Sequence, residues 1–323
     1  MRGGFGLAAI GFTAIVALGS ARAIPSGTNR PLGTAARCTA YAGAPAGWPV
    51  AREAGMVRIA GGDFEPGSPH GYADEKPAGR VHVDSFWIDR TEVTNTQFAM
   101  FARATRYVTE AEREGGAPVF RKPTSAETAS LSWWRYERGA SWRHPDGPTT
   151  DLASREHEPV VQVTLADARA YARWLGHDLP TEAQWEFAAR DGKDAPPLEQ
   201  APRTGTGSPA ANFWQGAFPE VNTREDGFES RAPVGCFPSN ALGLFDMVGN
   251  VWEWTRDPYR GSRQAHGSGG KVGDSEDDSV VIKGGSYLCA KTFCARYRAS
   301  ARYPQERHLG APHVGFRTVK SVD

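Results

Sequence analysis

At three places in this chain a threonine is followed, three residues later, by a side chain that can reach back to it. The pairs are Thr94 with Gln97, Thr164 with Asp167 and Thr181 with Gln184. Each pair fixes where a helix begins. The threonine oxygen takes an N–H of the first turn, and the third side chain takes the threonine's own N–H. Asp167 is a looser version, since Glu or Gln is usual. Phe98, Phe101 and Ala102 form an apolar stripe after the first cap. Leu165, Ala168, Tyr171 and Leu175 do so after the second, with Gly176 to stop it. The third opens a helix from Glu182 to Arg190, stopped near Gly192. All three helices are therefore short. Residues 56–62 read as a strand entering a glycine turn, and residues 81–88 alternate like another. With 37 glycines and 23 prolines in 323 residues, long elements have little room. Ten tryptophans point to a loop-rich domain held by aromatic packing, and the aromatics on the helices read as core. No repeat of solenoid period is present.

Lys+Arg and Asp+Glu both number 37, so no polycationic face for nucleic acid is implied. Residues 1–23 read as a signal peptide, with Arg2, an apolar run over 5–18 and the small residues of Ala21-Arg22-Ala23. The run is short for a span, which needs about 20 residues. Export without stable membrane insertion is therefore expected, an uncleaved anchor being the alternative. Residues 24–55 look like an extended leader carrying Cys38, ahead of a catalytic domain over 56–320. Residues 109–158 show no sustained period. Such a loop is functional or disordered, and Trp133, Trp134, Tyr136 and Trp142 argue against disorder. Residues 260–278 read as a polar surface loop. His308 and His313 match no motif and read as surface or packing histidines.

Two of the four cysteines, Cys289 and Cys294, lie in a glycine-led stretch at 284–298. Five residues is an awkward offset. On a strand it points side chains to opposite faces, and on a helix it leaves them about 140° apart. If the sulfurs meet, the chain between them loops. Such a pair can share a proton, hold a soft metal or form a structural disulfide. The other two, Cys38 and Cys236, are expected to pair and pin the leader to the domain. A free buried Cys236 and a Cys38 joined to another chain are the alternatives. Two stretches, 212–228 and 244–254, alternate carboxylates, amides and glycines as a hard cation requires. Ordinary turn chemistry gives the same pattern, and spacing alone favours it.

Four stretches together resemble the formylglycine-generating enzyme family, also called sulfatase-modifying factors. The first is Gly61-Gly62-Asp63-Phe64 with Asp89-Arg90-Thr91-Glu92-Val93-Thr94-Asn95. The second is Leu179-Pro180-Thr181-Glu182-Ala183-Gln184-Trp185-Glu186. The third is Gly249-Asn250-Val251-Trp252-Glu253-Trp254. The fourth is Gly284-Gly285-Ser286 with Arg296-Tyr297-Arg298 and Gly315-Phe316-Arg317. The likeness runs in order over 56–319. It implies a single α+β domain with much irregular structure, related to the C-type-lectin-like arrangement. It also implies an O₂-using oxidase that converts the cysteine of a Cys-x-Pro-x-Arg segment, in a sulfatase polypeptide not yet folded, to Cα-formylglycine.

By the same resemblance Cys289 and Cys294 hold Cu(I), Ser286 lies beside the oxygen site, and Trp252 and Arg296 contact substrate. Soft thiolates select Cu(I), and two-ligand coordination leaves room for a third thiolate, the substrate's. Two structural Ca²⁺ ions are implied. One is held by Asn212, the Phe213 carbonyl, Asp226 and the Phe228 carbonyl. The other is held by Asp246, the Gly249 and Val251 carbonyls and Glu253. With the family match these stretches read as calcium loops. The chain departs from vertebrate members at Ala290 and Phe293, beside the substrate groove. A monomer is expected. The family also holds inactive members, binding domains and iron-dependent sulfoxide synthases. No histidine-bearing helical domain precedes residue 56, and no hydrolase triad or zinc-type cluster is present. The competing reading is a non-catalytic exported binding domain with a Cys289–Cys294 disulfide.

Overall fold

The computed structural model describes residues 1, 32–77, 79–123, 133–192, 197–198, 200–261 and 278–322. The signal peptide expected over 1–23 and most of the loop expected over 260–278 lie outside the described residues. Among those described, no helix is long and apolar enough to cross a membrane.

All three caps form. Gln97 N donates to Thr94 Oγ1 at 3.2 Å and Thr94 N to Gln97 Oε1 at 3.1 Å. The helices they open are α2 (Asn95–Thr105), α4 (Leu165–Leu175) and α5 (Glu182–Arg190). The last of these stops at Asp191, which itself takes the left-handed conformation (φ 54°), one residue before the expected glycine. A fourth cap was not anticipated: Thr109 and Glu112 open the short α3 (Glu110–Glu114). Behind it β5 (Gly116–Phe120) and β6 (Trp134–Arg138) pair antiparallel. Part of the region expected to be one long loop is therefore regular.

The alternating run at 81–88 is two strands, not one. β3 (Val81–Val83) pairs with β2 (Gly62–Phe64). β4 (Phe86–Asp89) instead lies between β1 (Met56–Ile59) and β11 (Val319–Ser321). The chain turns between them at Asp84-Ser85, where Gly61 packs so closely that a Cβ on it would lie 2.4 Å from the Val83 carbonyl oxygen. The largest sheet runs β10 (Val314–Gly315), β7 (Trp252–Pro258), β8 (Ser279–Lys283), β9 (Arg302–Glu306). Its β10–β7 pair is parallel and the rest antiparallel. The result is the expected single α+β domain.

α2 and α4 bury Phe98, Phe101 and Tyr171 against Trp142, Trp254 and Phe316. Tryptophans and phenylalanines do here what long helices do elsewhere: they bury large area on short elements. Residues 32–55 pack on the domain, Trp48 against this core and Cys38 in a smaller cluster with Ala232, Cys236 and Phe237. Cys38, the last residue of α1 (Ala35–Cys38), is bonded to Cys236 as expected. Trp48 stacks on Tyr171 with ring centroids 6.5 Å apart.

Asp89, half-buried at the end of β4, has a carboxyl whose Oδ2 accepts from Thr318 N (2.8 Å) and Oγ1 (2.6 Å). Burial raises its pKa to about 6, against the opposing hydrogen bonds from Thr318. The folded state therefore holds this proton where the unfolded chain releases it. The contribution to stability is complete below about pH 4 and is lost as pH climbs through 6. Asp89→Asn keeps the acceptor oxygen and removes the titration. Urea unfolding of both proteins from pH 4 to 7 should show the variant gaining on the wild type by up to ~3 kcal/mol. Parallel curves would mean that Asp89 is ionised throughout.

Candidate active site

The cysteine loop is built by a two-residue turn. Ala290 N donates to Phe293 O at 2.8 Å and Phe293 N returns to Ala290 O at 3.1 Å, with Lys291 and Thr292 at the tip. This hairpin resolves the offset of five, because Cys289 and Cys294 become the next facing pair. Their sulfurs lie 3.4 Å apart and both thiols are free. The two arms cross closely: a Cβ on Gly285 would lie 2.5 Å from the Arg296 carbonyl oxygen, and Gly285 has φ +80°. Only glycine fits there. Cys294 is itself left-handed, with φ 53°, which costs a non-glycine residue about 1–2 kcal/mol.

The thiols differ electrostatically. Burial works against ionisation of Cys289, yet its pKa is lowered, because Cys294, the Ser286 and Arg296 backbone N–H groups and the Ser286 side chain all donate to it. The Cys294 thiol is raised, chiefly by its hydrogen bond to Cys289 and then by burial. The pair thus loses its first proton from Cys289, and Cys294 keeps its own to donate.

The thiols open on a cavity of about 600 Å³ walled by Tyr72, Trp133, Trp134, Phe218, Trp252, Phe293 and Tyr303. Ser286 and Arg296 also line it, so five sequence-proposed residues meet in one place. Trp133 and Phe293 meet edge to face, with Phe218 stacked flat on Phe293 at 4.5 Å. Trp252 is buried 6.0 Å from Tyr303. Arg296 is paired, at 3.0 Å to both Asp74 Oδ2 and Glu75 Oε1. His313, read as a packing residue, lines the cavity too. Its ring lies 5.0 Å from that of Trp134, and burial with the Arg231 charge lowers its pKa to about 3, so it is neutral. His308 sits on the surface, 3.4 Å from Glu110. Tyr72, Asp74, Glu75 and His313 carried no local sequence pattern that marks them.

The two acidic loops lie beside the cysteine loop. Trp214 N donates to Cys289 O at 3.0 Å, and Gly249 N to Gly284 O at 3.0 Å. In the first, Asp226 accepts from Phe213 N (3.2 Å) and Phe228 N (2.9 Å). The Gln215 amide points at both Asp226 Oδ2 and the Phe213 carbonyl. Asn212 spends its amide nitrogen on Ser230 O and Asn250 Oδ1. In the second, Asp246 Oδ2 accepts from Gly235 N at 2.5 Å. Glu253 accepts from Trp185 Nε1 and from Arg317 Nε on Oε2, and from Arg317 Nη2 on Oε1, each at 2.7 Å. Glu92 is also buried here, its Oε2 without a partner. Burial and the neighbouring acids raise Glu92, and burial raises Asp246 to about 6. Among the described residues no three His, Cys, Asp or Glu side chains converge as metal ligands. The proposed donor sets draw five of their eight members from carbonyls or amides.

The fold and the paired thiols define a class. The sulfatase-modifying factor enzyme 1-like domain matches residues 42–322, and the chain belongs to that family. A protein named formylglycine-generating enzyme from Mycobacterium tuberculosis is 41% identical over 290 residues, covering 82% of this chain and 97% of its own. A Bos taurus protein named inactive C-alpha-formylglycine-generating enzyme 2 is 38% identical over 281 residues, 83% of this chain and 88% of its own. The solved structure of PvdO from Pseudomonas aeruginosa shares the fold, with a TM-score of 0.58 at 23% identity, over 84% of this chain and 95% of that one.

Among the described residues Glu253 is the only carboxylate bonded directly to buried Arg317, so removing its charge strands a buried cation. Glu253→Gln, unfolded in urea with chelator present, should lose about 3–5 kcal/mol. Glu92→Gln should cost far less, since one of its oxygens has no partner to lose. Equal losses would show that Arg317 depends on the whole acidic cluster.

Proposed function

We propose that this protein is an O₂-using oxidase that converts a peptide cysteine in a Cys-x-Pro-x-Arg segment of an unfolded sulfatase to Cα-formylglycine. The observation that carries the reading is the free Cys289–Cys294 pair at the base of an aromatic cavity in a chain of this family. Taking CH₂–SH to CHO with release of H₂S uses one atom of O₂. The other leaves as water only if two electrons and two protons are supplied, so an external reductant is part of the reaction.

The donor set fits a copper(I) ion, since two adjacent thiols, one of them acidified, are what a soft monovalent cation prefers. Cys289 and Cys294 would hold it. When bound, copper(I) supplies a site at which O₂ is activated beside the substrate sulfur. Ser286 stabilises the Cys289 thiolate through its side chain and its backbone. The ring walls exclude water and give an extended segment apolar surface, including the proline ring, to lie on. Trp252 and Arg296 lie on this wall and are assigned to substrate contact.

Calcium at the two acidic loops belongs to the same proposal. Beyond its bond from Arg317 Nη2, Glu253 Oε1 keeps a lone pair, and Glu92 and Asp246 lie close enough to Glu253 and Arg317 to interact electrostatically. A hard divalent ion would find oxygen donors there from Asp246, Glu253 and the Gly249 and Val251 carbonyls. The Cys38–Cys236 bond supports an oxidising compartment, which agrees with an export signal.

Incubating the protein with a Cys-x-Pro-x-Arg peptide, Cu(I), O₂ and a thiol reductant should give a product of formylglycine mass. Cys289→Ser and Cys294→Ser should each reduce turnover and Cu(I) binding to background. Near-full turnover by either variant would sink the copper-oxidase reading, and no turnover by a wild type with a Cys289–Cys294 disulfide would favour a binding domain. For calcium, chelation should lower the wild-type melting temperature more than that of Asp226→Ala. Null responses in both would mean that the loops are turns alone.

A further inference from the structure

The backbone around the thiols has little hold on its own shape. Arg296 N donates to Cys294 O at 2.7 Å and Arg298 N to Arg296 O at 3.0 Å, so the stretch is a run of tight three-residue turns with Cys294 left-handed at its head. No ladder fixes it there. What surrounds it comes from more than 220 residues earlier in the chain. Tyr72 Oη accepts from Ala295 N at 3.2 Å, and its ring lies 4.3 Å under the Arg296 guanidinium. Asp74 takes two bonds from Arg296 Nη1, at 3.2 and 3.0 Å, and one from Nη2 at 3.2 Å. Glu75, fully buried, takes Arg298 Nε at 2.8 Å and Nη2 at 2.7 Å, with Ser300 Oγ at 3.3 Å.

We propose that Tyr72, carried with Asp74 and Glu75 on the 3-10 turn Ala73–Glu75 and the residue before it, is a positioning residue that holds Cys294 in the strained conformation bringing its sulfur to Cys289. The argument is one of placement. Ala295 N is the first amide after the left-handed residue, so anchoring it fixes the direction in which Cys294 leaves the backbone. Charged anchors hold the segment two and four residues beyond Cys294. Tyr72 supplies the bond to the first amide after Cys294, while the Arg298 guanidinium donates to the carbonyl of the same residue, Ala295, and the Tyr72 ring doubles as cavity wall.

The proposal rests on the copper-oxidase reading only for its consequence, and the test separates them. Tyr72→Phe removes the acceptor oxygen and keeps the ring. Two quantities are read on the full chain. One is Cu(I) affinity, by competition with a chromophoric chelator. The other, without metal, is the equilibrium of the Cys289–Cys294 disulfide with glutathione, in which the two thiols are oxidised as one glutathione disulfide is reduced to two thiols. Both should fall by roughly 3- to 10-fold, the worth of one hydrogen bond, while the protein stays folded with a melting temperature only slightly lowered. Tyr72→Leu, which also removes the ring under Arg296, should lower both further. If both quantities match the wild type in Tyr72→Phe, the clasp does not position Cys294. If the wild type binds no Cu(I) yet the disulfide equilibrium still falls in the variant, the copper reading fails and the clasp stands.

Discussion

Arg317 is the interaction on which the rest depends. It has no exposed surface, yet it carries a full charge into the centre of the domain. Its guanidinium donates to the Asp89 carbonyl (3.1 Å), the Phe245 carbonyl (2.9 Å) and both oxygens of Glu253 (2.7 Å each). Those partners belong to β4, the second acidic loop and β7, and Glu253 passes the connection to α5 through Trp185 Nε1. Burying such an ion pair is tolerable only where every donor finds a partner. Here that requirement joins the three-stranded sheet, the four-stranded sheet, a helix and a loop at one point. A second buried pair, Lys283 Nζ with Glu186 Oε2 at 2.9 Å, repeats the device between β8 and the same helix.

These charged centres replace what regular structure would otherwise give. Short helices and short strands leave many backbone groups outside any ladder, and each must be satisfied. Side-chain amides, arginines and carboxylates do so here. The cost is that contacts far apart in sequence decide local shape. Tyr72, Asp74 and Glu75 shape the segment at 294–298, and Gly285 must lack a side chain because of Arg296.

That division explains what was legible. The three helix starts could be read because a capping box is wholly local, four residues long. The fourth, at Thr109 and Glu112, has the same chemistry, but its helix is only five residues and no apolar period follows to draw attention to it. The run at 81–88 was misread as one strand because alternation survives a corner at Asp84-Ser85, and nothing in the stretch shows that β3 and β4 join different partners. Legible at Cys289 and Cys294 was only the condition that the chain must loop if the sulfurs meet; that they meet came from the resemblance. The wall of the cavity was not, because Trp133, Trp134, Phe218 and His313 share no spacing and meet only through the tertiary fold.

The placement of the thiols can be followed one step further, to Asn250. Its side chain makes four bonds. Oδ1 accepts from Asn212 Nδ2 (3.1 Å) and Ala232 N (2.9 Å), while Nδ2 donates to Glu92 Oε1 (3.1 Å) and Ala232 O (3.3 Å). One amide thereby joins the first acidic loop, the stretch leading to Cys236 and the buried acid beside the second loop. Its backbone is left-handed, with φ 51°, and asparagine bears that conformation better than most residues. The Asn250 carbonyl then accepts from Tyr287 N at 2.9 Å, two residues before Cys289. The cysteine loop is thus suspended at one end from the acidic loops through Asn250 and at the other from the Tyr72 clasp. Trp214 N adds a bond to the Cys289 carbonyl itself at 3.0 Å, so the backbone on both sides of the thiols is held by groups distant in sequence.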